Sequence, residues 1–241
     1  MEVIIILIAL VFVVISYRLI TEEGNNNTKS ENRRKGILKE VATPDAPYNF
    51  GDAWFAVKTN DVVKVSQILG LEGVVKSNWK NAMSYEGLET VFVTPKVNDW
   101  VLVMGDGLPL GSMAEDLKTI KKLLKKLSAT FGEAQYFAKS YGYYCFAKAI
   151  NGSIERLYDY NDHTNEYHTL GTPTRAELGY NLPAILPWEI DEEDQDYWKR
   201  NKVTFVDGAT ILDIAEEWSV NPMKLRENKN IKGLGLLGIY K

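Results

Sequence analysis

The sequence predicts an α+β fold: an antiparallel sheet built from hairpins with helices packed on it, preceded by one transmembrane helix. Three observations carry that expectation. An unbroken apolar run, Val3 to Ile15, opens the chain. Strand-like segments then arrive in pairs with turn residues between them, and the Asn151-Gly152 link is a strong type I′ hairpin signal. One long segment, residues 114–131, instead repeats its leucines at helical spacing. Strands that come as hairpins, with helices between blocks, favour an antiparallel α+β layout over a doubly wound one.

The apolar run is extended by Leu19 and Ile20 after Ser16, Tyr17 and Arg18. Spanning a bilayer takes roughly 20 apolar residues, so residues 3–20 suffice for one anchor. Arg18 can reach the headgroups and Tyr17 suits the interface. A cleaved signal peptide wants a basic start and a small-residue cleavage site. Here Glu2 stands before the run and no A-x-A pattern follows it. Lys and Arg mark the cytoplasmic flank. They are absent before the run and present after it at Arg18, Lys29, Arg33, Arg34, Lys35 and Lys39. A single-pass membrane protein with a cytoplasmic body is the expectation. One cysteine in the chain excludes an intramolecular disulfide framework.

Residues 21–47 begin polar and free of aromatics and read as a flexible linker. A globular α+β domain is expected over 48–200 and a small helical or α+β subdomain over 201–241. All six tryptophans lie beyond residue 50. The net charge of −4 gives no reason to expect a nucleic-acid partner.

The elements follow in order. Residues 52–58 (DAWFAVK) read as a strand, and Thr59 or Asn60 then caps a short helix that Gly70 ends. TVFVTP and WVLVM read as two strands joined through Val97-Asn98-Asp99. Ser112 and Glu115 form a capping box before the long helix, whose Leu117, Ile120, Leu123, Leu124 and Leu127 share a face, and Gly132 stops it. EAQYFAK, YYCFAKAI and SIERLYDY are three further strands. Thr172-Pro173 starts a helical turn, residues 203–206 read as a small strand, and helices are expected near 209–218 and 222–228.

Two resemblances add to this. The blocks AWFAVKTND, SNWKNAM, VFVTPKVNDWVLVMG, FGEAQYF and LDIAEEWSVNPMKL resemble an uncharacterised family of bacterial proteins over about residues 53–225. That implies a bacterial origin and one body plan, without an activity. The stretch VDGATILDIAEEWSVNPMKLRENKN is similar to a lysin motif, a β-α-α-β glycan-binding module. The resemblance implies an envelope glycan-binding role for residues 203–240 through Thr210 and Trp218. The same spacing also describes a packed helix pair, with Ile211, Ile214, Ala215 and Trp218 as its buried face. The closing GLGLLGIYK departs from the motif's last strand.

Candidate chemistry is sparse. Asp159, Asn161, Asp162, His163, Glu166 and His168 offer metal-ligand types, but the two histidines lack the i, i+4 spacing of a helical zinc pair. They lie where a strand pair must turn, where Asp, Asn and Thr are expected anyway. Cys145 sits among aromatics and reads as a buried structural cysteine. Gly105, Gly107 and Gly111 precede a helix but lack the phosphate-binding lysine pattern. No metal or cofactor is expected. Lys118, Lys121, Lys122, Lys125 and Lys126 form a basic stripe opposite the leucines, either a solvated face or a contact for anionic lipid. Glu192, Glu193 and Asp194, flanked by Trp188 and Trp198, form an acidic patch with aromatic anchors, the composition of a protein-contact surface for a basic partner. The favoured expectation is a membrane-tethered, non-enzymatic interaction protein, with an immunity-like role as one form of it. A glycan-binding protein and a metal-dependent hydrolase around Asp162, His163 and His168 stand as alternatives.

Overall fold

In the computed structural model the described residues are 38–48, 50–84, 89–111, 114–140, 142–161, 166–182, 196, 200, 202, 206–226, 228–231 and 233–240. The apolar run 3–20, Ser112, Asp162, His163, Trp188, Glu192, Glu193, Asp194 and Trp198 lie outside them. Among the described residues, no helix is long and apolar enough to cross a membrane.

The chain alternates β1 (Ala53–Val57), α1 (Val62–Leu69), β2 (Glu72–Ser77), α2 (Trp79–Met83), β3 (Thr90–Val93) and β4 (Val101–Met104). Then come α3 (Ala114–Phe131), β5 (Glu133–Ser140), β6 (Tyr143–Ile150), β7 (Ser153–Asn161), β8 (Glu166–Leu170), α4 (Gly208–Trp218) and β9 (Gly235–Ile239). The strands make one sheet in the order β2-β9-β3-β4-β1-β5-β6-β7-β8. Every pairing in it is antiparallel. The protein is therefore a mixed α+β fold with an antiparallel sheet. Its centre, β1-α1-β3-β4-α3-β5 with spatial order β3-β4-β1-β5, has the connectivity of a split β-α-β unit. β6, β7 and β8 extend this unit along one edge.

Local chemistry explains the elements. Asp61, rather than Thr59 or Asn60, caps α1 by accepting from the Lys64 N–H at 2.8 Å, and Gly70 ends the helix in the left-handed region. Asn151 and Gly152 both have positive φ, as a type I′ turn between β6 and β7 requires. The leucine stripe of α3 is buried as its period demands.

Helices cover both faces of the sheet. On one face Phe55, Val103, Tyr136 and Ala147 pack with Val65 of α1 and Ile120, Leu124 and Leu127 of α3. On the other, Trp79 of α2 meets Phe92 edge-on at 5.3 Å, and Trp218 of α4 meets Phe137 and Phe146 at 5.9 and 5.6 Å. This is why β1, β3 and β4 are buried at every residue instead of alternating. Each large apolar side chain buried this way contributes about 1.5–3 kcal/mol.

Two segments at the ends of the described chain join the sheet and its helices. Asp45, placed in the linker by sequence, accepts from the Trp79 and Lys80 N–H groups at 2.7 and 2.9 Å and so supports α2, whose own cap Asn78 accepts from the Asn81 N–H at 2.9 Å. Val41 donates to the Lys76 carbonyl at 3.0 Å. Accordingly Glu40–Lys241 forms one unit. At the other end, β9 lies inside the sheet, bonded to β2 on one side and β3 on the other. The last strand of residues 201–241 thus completes the main sheet. The expected helix at 222–228 is a 3-10 turn, Pro222–Leu225, capped by Asn221.

Candidate functional site

The register of β7 against β8 places Asp159 opposite His168. Period-two alternation turns both toward the α3 face, together with Tyr143 of β6. The Tyr143 hydroxyl donates to one Asp159 carboxylate oxygen at 2.7 Å, and His168 Nδ1 meets the other at 2.9 Å. The Asp159 side chain is 3 % exposed and that of His168 46 %. Burial pushes the Asp159 carboxyl above its ordinary range, and the hydrogen bonds from Tyr143 and His168 pull it back. An ionised Asp159 assigns the proton to Nδ1 of His168 and leaves Nε2 as the acceptor nitrogen of the ring.

The support beneath this pair is tightly packed. Tyr136 donates to the Pro109 and Leu110 carbonyls at 2.9 and 3.0 Å, which holds the 108–111 loop over the tyrosines. Gly111 has φ of 85°, and a Cβ there would lie 2.0 Å from the Tyr143 hydroxyl. Gly111 is thus explained by its contact with Tyr143. Gly105 and Gly107 likewise press on the Thr90 and Glu89 carbonyls. None of the three needs an anion to account for it. Cys145, beside Asp159 in the β6–β7 register, is fully buried, and burial pushes its thiol well up. It is a core residue, as expected from its neighbours.

His168 opens into a groove of about 610 Å³ against α3. Lys118, Lys121, Lys122, Lys125 and Lys126 line its helical wall, with Ala114 and Leu117 at one end. Every ionisable side chain among these described lining residues is a lysine or His168. Lys118 also meets Glu115 at 3.5 Å, an exposed pair of small worth. The lysine stripe and the polar β7–β8 segment, read separately from the sequence, therefore form one surface.

The other expected site residues fall elsewhere. Thr210 is buried, and both its N–H and its hydroxyl bond Asp207, at 2.8 and 2.9 Å, as part of the α4 cap. Trp218 lies between Phe137 and Phe146, with its indole N–H on the Thr174 hydroxyl at 3.0 Å and Lys148 5.7 Å from its ring. Both are engaged within the fold. No group of three His, Cys, Asp or Glu among the described residues is placed to hold a metal ion.

No family model, no curated protein and no solved structure matches this chain.

Proposed function

We propose that the chain works as a membrane-tethered, non-enzymatic interaction protein whose body contacts anionic lipid headgroups through the lysine groove of α3. The observation that carries this reading is the lining of that groove, five lysines and His168 around one cavity. The apolar run 3–20 supports the tether, and Arg33, Arg34, Lys35 and Lys39 continue the same charge along the segment between tether and body. A basic side chain near an anionic leaflet is worth about 1 kcal/mol. Several acting together hold a tethered domain against its own bilayer, and salt weakens the hold. In this reading the body is cytoplasmic, where anionic lipid is concentrated. The acidic patch of Glu192, Glu193 and Asp194, with Trp188 and Trp198, is left to capture a basic protein partner.

Hydrogen exchange on the full chain in nanodiscs tests the lipid contact. Amides of α3 become more protected when phosphatidylserine replaces part of the phosphatidylcholine, and high salt reverses the change. Equal exchange in both lipids contradicts the reading.

A second reading rests on the Asp159–His168 pair. A buried carboxylate that orients an imidazole toward a cationic groove can serve general acid–base chemistry on an anionic ester. Turnover of a chromogenic phosphoester by the full chain, lost in His168→Gln, favours it. No turnover removes it.

A further inference from the structure

The opposite face of β7 and β8 carries a second cavity, of about 460 Å³, under residues 173–182. Arg156, Tyr158 and Tyr167 belong to its floor and Pro173, Leu178 and Leu182 to its rim. Two features define what it can hold.

The first is that its charges are already spent. Arg156 is buried, and its Nε donates to Glu177 at 2.9 Å. Its Nη1 donates to the Leu157 carbonyl, the Thr169 hydroxyl and the Leu170 carbonyl at 2.8, 2.7 and 3.0 Å. Glu177 also accepts from the Thr174 N–H and hydroxyl, at 2.8 and 2.9 Å. Neither ion is left to attract a charged ligand, and a charged ligand would lose its hydration without a counter-ion.

The second is an orphan. The Tyr158 hydroxyl is buried, in a residue only 1 % exposed, and has no hydrogen-bond partner among the described residues. Its ring cannot turn away easily. It stacks on Phe146 at 5.1 Å and meets the edge of Tyr167 at 5.5 Å. A buried unpaired hydroxyl is costly, and native structures rarely leave one without a reason. Leu178 on the rim is 75 % exposed, an apolar surface without cover from the described residues.

We infer that this cavity binds a small, uncharged, planar molecule that presents a carbonyl oxygen to the Tyr158 hydroxyl. Tyr167 and the apolar rim take the flat body of the ligand, the Tyr158 hydroxyl, covered in the empty cavity, is reached when the rim parts and then fixes its orientation, and the volume is in the usual range for a ligand pocket. The inference is independent of the lysine groove on the other face.

Three probes separate the requirements: benzamide (uncharged, with the carbonyl), toluene (no acceptor) and benzoate (charged). Each is titrated into the full chain in micelles while the Thr169 and Gly171 amide resonances are followed. Benzamide shifts them saturably. Toluene and benzoate bind at least about tenfold more weakly, the factor one net hydrogen bond carries. Tyr158→Phe removes a hydroxyl that bonds none of the described residues, so its melting temperature is unchanged or higher, while benzamide binding weakens about tenfold. Absence of saturable benzamide shifts, or equal binding of benzamide and toluene to the native chain, overturns the inference. So does equal benzamide affinity in a folded Tyr158→Phe variant.

Discussion

The β6–β8 extension has two faces built from alternate residues of the same strands, and they solve the burial of charge in opposite ways. On the α3 face, Asp159 is buried with Tyr143 and a half-exposed His168, and the groove beyond is lined by lysines. Charge there stays open toward solvent. On the α4 face, Arg156 and Glu177 close on each other and on backbone carbonyls, leaving an uncharged cavity with one unpaired hydroxyl. One strand pair can therefore present an anion-seeking surface and a neutral pocket, because each step along a strand reverses the face.

Substitutions that unbalance one face at a time sharpen this contrast. The largest effect belongs to Glu177→Ala, which leaves the Arg156 charge buried and unpaired. Chemical denaturation should show a loss of about 3–5 kcal/mol. The double replacement Arg156→Met with Glu177→Leu should recover most of it, since buried pairs exchanged for apolar residues are often neutral. A single Glu177→Ala without effect would mean the ion pair is not closed.

Gly111→Ala comes next. Its Cβ would meet the Tyr143 hydroxyl at 2.0 Å, in a backbone region that L residues adopt at a cost. A loss of about 1–3 kcal/mol is expected, read by thermal melting. Tyr143→Phe in the same chain should return part of it by removing the clashing oxygen.

A smaller, pH-dependent effect tests Asp159. Its folded-state carboxyl is raised by burial, so the fold prefers the protonated form. The associated stabilisation is complete below the unfolded carboxylate value of about 3.9 and is lost as pH climbs through the raised folded value. Asp159→Asn removes that term. The stability of the native chain relative to the variant should fall as pH rises through this window. A parallel pair of stability curves would show that Asp159 is not the group responsible.

The smallest stability effect is expected from Lys121→Glu with Lys122→Glu and Lys125→Glu. These side chains are partly or wholly exposed, and surface changes of this kind usually stay within about 0.5 kcal/mol each. Binding to phosphatidylserine should nevertheless be lost. Retained lipid binding in a stable variant would remove the lysines from the contact.

Much of this architecture was legible in the sequence. The Asn151-Gly152 turn and the leucine stripe of α3 are local signals, because a turn type and a helical period each need only neighbouring residues. β2, β8 and β9 were not legible. β9 is GLLGI, rich in glycine and poor in β-branched residues. Its glycines are required by packing, since a Cβ on Gly235 would lie 2.3 Å from the Val93 carbonyl. α2 is capped locally by Asn78, and the further N–H contacts from Asp45, more than thirty positions earlier, are what no local pattern reveals. The lysines and the polar segment after β7 were both visible as patterns. Their union was not, because the i, i+4 spacing asked of His163 and His168 says nothing of the partner that His168 has across the strands, Asp159. A hairpin register brings them together. The orphan hydroxyl of Tyr158 had no sequence signal, since its neighbours come from β6, β8 and the 173–182 segment.

The most direct test of the two-face account is a paired NMR titration of the full chain in zwitterionic micelles. Short-chain phosphatidylserine is added to one sample and benzamide to another. The account predicts that the lipid moves resonances of His168 and Lys121 and leaves Gly171 in place, while benzamide does the reverse. Movement of both faces by either ligand, or of neither face by phosphatidylserine, would contradict it.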